Sequence, residues 1–281
     1  MWRVIDHKPL IVGECPLWDD RRGLLYTMDI RGKLVRCYDW AENRHTQREY
    51  NQEIGSIALT ESGGLLLAMV DGIYIDHGNG SLELFAKPNK MMGRRFNDGK
   101  VGPDGRFYVG TTDYHGKGAF YRLDHDGRMQ MLFEDVGCSN GIDWDLSGRI
   151  MYYCDSPKKK LEAFDFDPID GTLSGRRTVI TLPLDGGEFD GMCVDSEGML
   201  WVAVWGAGCT LKIDPTAAKV TGRFDFPVRR ISCTAFAGPR LDTLILTSAA
   251  YQSENDGEEL AGCTFAAHAG SSGLPTRRFK L

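Results

Sequence analysis

The sequence predicts an all-β fold, a six-bladed β-propeller of four-stranded blades, on three observations. A unit of two strand-like runs joined by a glycine-containing turn can be aligned six times, with anchors near residues 14, 55, 97, 140, 190 and 233. Their spacing of roughly 40 to 50 residues is the length of one blade. Glycine makes up 34 of the 281 residues, and Asp-Gly pairs begin at 71, 98, 104, 126, 170, 185, 190 and 256, which places residues tolerant of positive φ at recurrent tight turns. Long helical periodicity is absent, apart from a weak stretch at 258–261.

Taken in order, the first copy runs from Glu14 to Trp18, turns at 20–23 and continues through Leu24 to Asp29. The second runs from Ile54 to Leu59, turns at Gly63-Gly64 and continues through Leu65 to Met69. Copies three to five open on Asn97-Asp98-Gly99, Asn140-Gly141 and Asp190-Gly191, and the sixth on Ser232-Cys233. A third strand and an acidic turn follow in several copies, as in Ala119 to Leu123 before 124–127 and Leu161 to Phe166 before 167–171. Composition does not shift along the chain and no Pro/Ser-rich linker interrupts it, so a single domain over 1–281 is expected. The amino-terminal run Trp2 to Ile5 is expected to complete the last blade and remove an open sheet edge.

With 42% apolar and 10% aromatic residues the chain can bury a large core. The net charge of −6, from 33 basic and 39 acidic residues that are interspersed, offers no basic stripe for a phosphate backbone, so no nucleic-acid partner is expected. No apolar run reaches membrane-spanning length and the first residues lack a signal-peptide pattern, so a cytoplasmic protein without a membrane partner is expected, as a monomer or weak homodimer. The eight cysteines show no CxxC spacing and most of them read as buried thiols.

In a propeller the first strand of each blade lines the central channel. The anchors there are Glu14, Asn97, Asn140 and Asp190, against small or uncharged residues in copies two and six. Two carboxylates and two amides converging on one axis call for a cation between them, and an all-oxygen set suits hard divalent ions without excluding zinc or iron. Taken singly, each of these dipeptides is also an ordinary turn signal.

The segments Gly13-Glu14-Cys15-Pro16-Leu17-Trp18, Arg95-Phe96-Asn97-Asp98-Gly99-Lys100, Ser139-Asn140-Gly141 and Asp190-Gly191-Met192, with Tyr152-Tyr153-Cys154-Asp155-Ser156, resemble the senescence marker protein 30 (regucalcin), gluconolactonase and sugar-lactonase family over nearly the whole chain. The resemblance implies one catalytic divalent metal, calcium or zinc first and manganese, magnesium or iron next, held by Glu14, Asn140 and Asp190. It also implies substrate contacts from Arg95 and Asn97, with Asn97 close to the metal. Two departures stand out. Cys15 occupies a position where the family often has Gly, which suggests an ordinary backbone there. After Gly110-Thr111-Thr112, where a family substrate-contacting acid often lies, Asp113 and His115 share the loop and either could contact substrate.

The expected activity is that of a sugar lactonase, a hydrolase opening an aldonolactone to the aldonic acid with Asp190 as the base; Glu14 or a metal-bound hydroxide is the alternative base. A non-catalytic calcium-binding regulator of the regucalcin type is the competing function. The polar Arg95 and Asn97 pair favours a hydroxylated substrate over a phosphotriester, and no spaced histidine pair suggests a paraoxonase-like dyad.

Overall fold

Runs of four to nine residues with strand periodicity, bounded by Asp, Gly and Ser, form the strands of the chain. The structure, a computed structural model, describes residues 1–183, 186–253 and 257–281; Asp185 and Asp256 of the expected turn pairs lie outside them. The described residues form six four-stranded antiparallel sheets, and the fold is a six-bladed β-propeller. Among them there is one short 3-10 turn at Ser156–Lys158 and no α-helix, so no helix is long and apolar enough to cross a membrane. The stretch at 258–261 is a succession of turns, with Ala261 N donating to Glu258 O.

The chain gathers into two compact units, Met1–Glu53 with Val179–Thr276 and Ile54–Thr178 with Arg277–Leu281, each taken by itself below. The first unit begins with β1 (Trp2–Asp6) and blade one, β2 (Gly13–Asp19), β3 (Leu24–Asp29), β4 (Leu34–Asp39) and β5 (Arg44–Glu49). The second unit holds blade two, β6 (Ile54–Leu59), β7 (Leu65–Met69), β8 (Ile73–Asp76) and β9 (Leu82–Ala86), and blade three, β10 (Arg95–Val101), β11 (Phe107–Thr112), β12 (Gly118–Leu123) and β13 (Met129–Val136). Blade four follows as β14 (Ser139–Trp144), β15 (Ile150–Asp155), β16 (Lys160–Phe166) and β17 (Leu173–Thr181). The first unit resumes with blade five, β18 (Glu188–Val194), β19 (Leu200–Trp205), β20 (Cys209–Asp214) and β21 (Lys219–Asp225), and blade six, β22 (Ile231–Ala237), β23 (Thr243–Ser248) and β24 (Thr264–His268). As expected, β1 completes blade six, pairing antiparallel with β24 from Trp2 opposite Ala267 to Asp6 opposite Thr264.

The first strand of every blade carries the same irregularity. Pairing with the second strand slips between Glu14 and Leu17, Ile54 and Ser56, Phe96 and Gly99, Asn140 and Ile142, Phe189 and Met192, and Ile231 and Cys233. A β-bulge re-aims the side chains beside it. The recurrent polar-then-glycine phrase is therefore a bulge within a strand, and Glu14, Asn97, Asn140 and Asp190 all sit at one.

Blades three and four of the second unit share an aromatic core of buried Tyr108, Phe120, Trp144, Tyr153, Phe164 and Phe166. Phe133 stacks on Phe120 and Phe164 at centroid distances of 4.9 and 5.4 Å, and the Arg176 guanidinium lies 5.1 Å from the Phe133 ring. Six of the eight cysteines are buried and none is in a disulfide, in accord with their reading as small apolar residues.

Candidate metal and substrate site

In the first unit the two anchor carboxylates, Glu14 on β2 and Asp190 on β18, lie on strands that both pack against β22. Ser232 Oγ of β22 donates to the Gly13 carbonyl at 2.5 Å, one residue before Glu14. On the other side, a Cβ on Gly191 would strike Cys233, so only glycine lets β18 approach there, one residue after Asp190. The Ser232-Cys233 dipeptide is thus wedged beside both acid-bearing bulges. Glu14 is half-buried and Asp190 is 4% exposed.

Cys15 corrects an expectation. Its φ is 49°, in the left-handed region, where an ordinary backbone was expected from the absence of glycine. The bulge between Glu14 and Leu17 demands this conformation whatever the side chain, and the Cys15 amide donates to Glu14 Oε2 at 3.3 Å. Gly141, beside Asn140, has φ 33° at the corresponding bulge of β14.

In the second unit the polar residues form a directed chain. Arg95 Nη1 donates to Asn97 Oδ1 at 2.6 Å and to the Phe96 carbonyl at 2.8 Å. Asn97 Nδ2 donates to the Ser139 carbonyl at 2.7 Å and to Asn140 Oδ1 at 2.9 Å, and Asn140 Nδ2 donates to Ser156 Oγ at 2.7 Å. The Ser139 carbonyl can only accept, which fixes which end of the Asn97 amide is nitrogen, and the order of the chain follows. Both amide nitrogens also contact Cys138 Sγ, at 3.6 and 3.7 Å. The Asn97 N–H groups are committed inside the protein, so its oxygen is what it can offer an incoming hydroxyl.

Asp113 and His115 sit on the loop after β11, where Thr112 pairs with Arg95. The Asp113 carboxylate accepts the amides of His115 at 2.8 Å and Lys117 at 3.0 Å, while His115 is exposed. What the structure gives Asp113 is the bracing of its own loop.

Asp98, next to Asn97, accepts the Gly99 amide at 2.8 Å. Burial pushes its pKa up to about 6, against the attraction of Lys100. Asp143 behaves oppositely: burial alone would raise it, but Lys100 at 2.9 Å and Arg277 at 3.5 Å hold it below the usual carboxylate range. For Asp98 the folded protein favours the protonated form, so the stability tied to it is full below about pH 4 and is lost as pH rises through 6. The rise from 3.8 to about 6 corresponds to a loss on the order of 3 kcal/mol. Asp98→Asn should therefore match wild type near pH 4 and exceed it above pH 7 in urea unfolding of metal-stripped protein. Equal stability at both pH values would show that Asp98 does not titrate this way.

Sequence reasoning gave no role to Cys138, Asp155 or Ser156. Their signal was the Asp-Ser pair closing β15, since Ser139 pairs with Asp155 in the β14–β15 hairpin. Among the described residues no three His, Cys, Asp and Glu side chains gather to hold a metal. The expected set differs in kind, being two carboxylates and one amide. As oxygen donors, with the Asn140 nitrogen tied to Ser156, these residues fit a hard divalent cation.

The family described as SMP-30/Gluconolactonase/LRE-like region matches residues 12–250. YvrE of Bacillus subtilis, provisionally named a sugar lactone lactonase, is 35% identical over 247 residues, covering 86% of this chain and 85% of that one. Regucalcin of Danio rerio is 36% identical over 263 residues, covering 90% and 89%. The crystal structure of a calcium-binding protein, regucalcin, from Agrobacterium tumefaciens superposes with a TM-score of 0.93 at 27% identity, covering 100% of this chain and 98% of that one. A match over most of the length, with relatives above 30% identity, settles the family: the chain belongs to the SMP-30/gluconolactonase/LRE-like family.

Proposed function

We propose that the protein is a metal-dependent hydrolase that opens a sugar lactone to the aldonic acid, acting as one domain over residues 1–281. The observation that carries this reading is the directed chain from Arg95 through Asn97 to Asn140, which leaves Asn140 an oxygen donor for a cation. Membership of a family whose relatives include proteins named for lactone hydrolysis supports it. Glu14, Asn140 and Asp190 would hold the ion. A bound divalent ion supplies Lewis-acid polarisation of the lactone carbonyl and stabilises the negative charge that develops on its oxygen.

The protein's own groups do the rest. Asp190 takes a proton from the attacking water as the water oxygen bonds to the carbonyl carbon. The bond from that carbon to the ring oxygen then breaks, and the proton passes to the ring oxygen, giving acid and hydroxyl. Having two oxygens, the Asp190 carboxylate can hold a cation with one and accept the proton with the other. Arg95 directs its donor fork at ring or hydroxyl oxygens, and Asn97 Oδ1 accepts from a sugar hydroxyl. Asp113 and His115 flank this position on the loop after β11.

The test is pH-stat hydrolysis of a panel of sugar 1,4- and 1,5-lactones by metal-stripped protein, reconstituted with calcium, zinc, manganese or magnesium, after subtracting spontaneous opening. Hydrolysis absent from the stripped protein and restored by at least one ion is expected. The second reading, a calcium-binding regulator without catalysis, draws on the relatives named regucalcin. Calcium binding without hydrolysis of any lactone would establish it in place of the first.

A further inference from the structure

The Asp-Ser pair closing β15 takes no part in the reaction above, yet both side chains turn back to the start of β14. Asp155, buried, accepts the backbone amides of Gly137 at 3.0 Å and Cys138 at 2.8 Å, with Lys158 2.9 Å away to balance its charge. The Ser156 amide donates to the Cys138 carbonyl at 3.0 Å, and its hydroxyl oxygen accepts Asn140 Nδ2 at 2.7 Å. Two consecutive residues thus grip first the main chain before Asn140 and then its side chain. Pro157 and the left-handed Lys159, whose amide donates to the Ser156 carbonyl, complete the 3-10 turn that fixes Ser156.

We propose that Ser156 is a positioning residue that keeps the Asn140 amide turned with its oxygen available as a cation ligand; the inference rests on the reading of Asn140 as such a ligand. An amide can present either its oxygen or its NH2 group, and only the oxygen can hold a cation. Asn97 Nδ2 meets the oxygen end, where a flipped NH2 group would face another donor, and Ser156 Oγ supplies the acceptor that holds the nitrogen end away from the ligand side. One oxygen lone pair remains for a ligand. Cys138 Sγ, 3.7 Å from Asn140 Nδ2, is too weak an acceptor to replace the hydroxyl. Loss of a partner that orients a metal ligand weakens metal binding by about 10- to 100-fold.

The experiment is isothermal titration of metal-stripped protein with calcium, zinc and manganese in turn, with the melting temperature of the stripped protein recorded alongside. In Ser156→Ala, Kd for whichever ion wild type binds should rise by about tenfold or more, and Ser156→Thr, which keeps the hydroxyl, should recover most of that loss. In an Asn140→Asp background both ends of the side chain are oxygen, so adding Ser156→Ala should change Kd by less than about threefold. Wild-type affinity in Ser156→Ala, or an equal loss in both backgrounds, overturns the proposal while leaving the lactonase reading standing. Failure of wild type to bind any of these ions or magnesium overturns both. Should Ser156→Ala not fold, Ser156→Cys takes its place with the same expected weakening and the same overturning result.

Discussion

Asp190→Ala should fold, melt near the wild-type temperature and lose lactone hydrolysis by about a thousandfold. The figure follows from removing a general base, worth about 10²- to 10⁴-fold, before any loss of cation affinity is added. The fold should survive because the substitution removes only the carboxylate from a side chain that is not part of an apolar core, while the Gly191 approach to Cys233 is untouched. Asp190→Asn divides the two roles. It keeps an oxygen donor but cannot take a proton, so cation binding should persist in titration calorimetry while hydrolysis is lost. Activity within tenfold of wild type in Asp190→Ala would remove Asp190 from the mechanism.

Gly55→Ala is expected to destabilise the protein by about 3 kcal/mol or more, the upper range for overpacking a core. A Cβ on Gly55 falls on the Phe96 carbonyl carbon and oxygen and comes within 2.9 Å of the Asn97 amide nitrogen. These are backbone atoms, so no rotamer change relieves the clash; β6 or β10 must move. The Ser56 hydroxyl, bonded to the Gly99 carbonyl at 2.9 Å, ties the same two strands together and resists that movement. Because β10 carries Arg95 and Asn97, cation affinity should also fall. Gly222→Ala is the control, since a Cβ there meets only side chains at 3.3 Å or more on a partly exposed strand, and its cost should stay below about 1 kcal/mol. Equal urea midpoints for the two variants would show that the close approach at Gly55 is dispensable.

Much of this architecture is legible without coordinates because it repeats. Six copies of one phrase, each with an apolar run, a Gly-containing turn and a second run, name the fold and place Glu14, Asn97, Asn140 and Asp190 at equivalent points. Periodicity could not reveal what happens at those points. The left-handed Cys15 shows the limit: its residue type argues for an extended backbone, but the slip in pairing between β2 and β3 imposes φ 49°. Asp113 shows another, since spacing cannot tell a carboxylate aimed at substrate from one that accepts the His115 and Lys117 amides.

The sequence by itself determined the blade count, the strand period and the kinds of oxygen donor at each bulge, because these depend on residue type and local spacing. Only the tertiary structure decided the order of the Arg95–Asn97–Asn140–Ser156 chain and the clamp from Asp155, because every link but the one from Arg95 to Asn97 within β10 joins residues of different elements. An amide carries its donor and acceptor on one flat group of nearly symmetric shape. Which end faces a ligand is therefore set by the partners that folding brings to it.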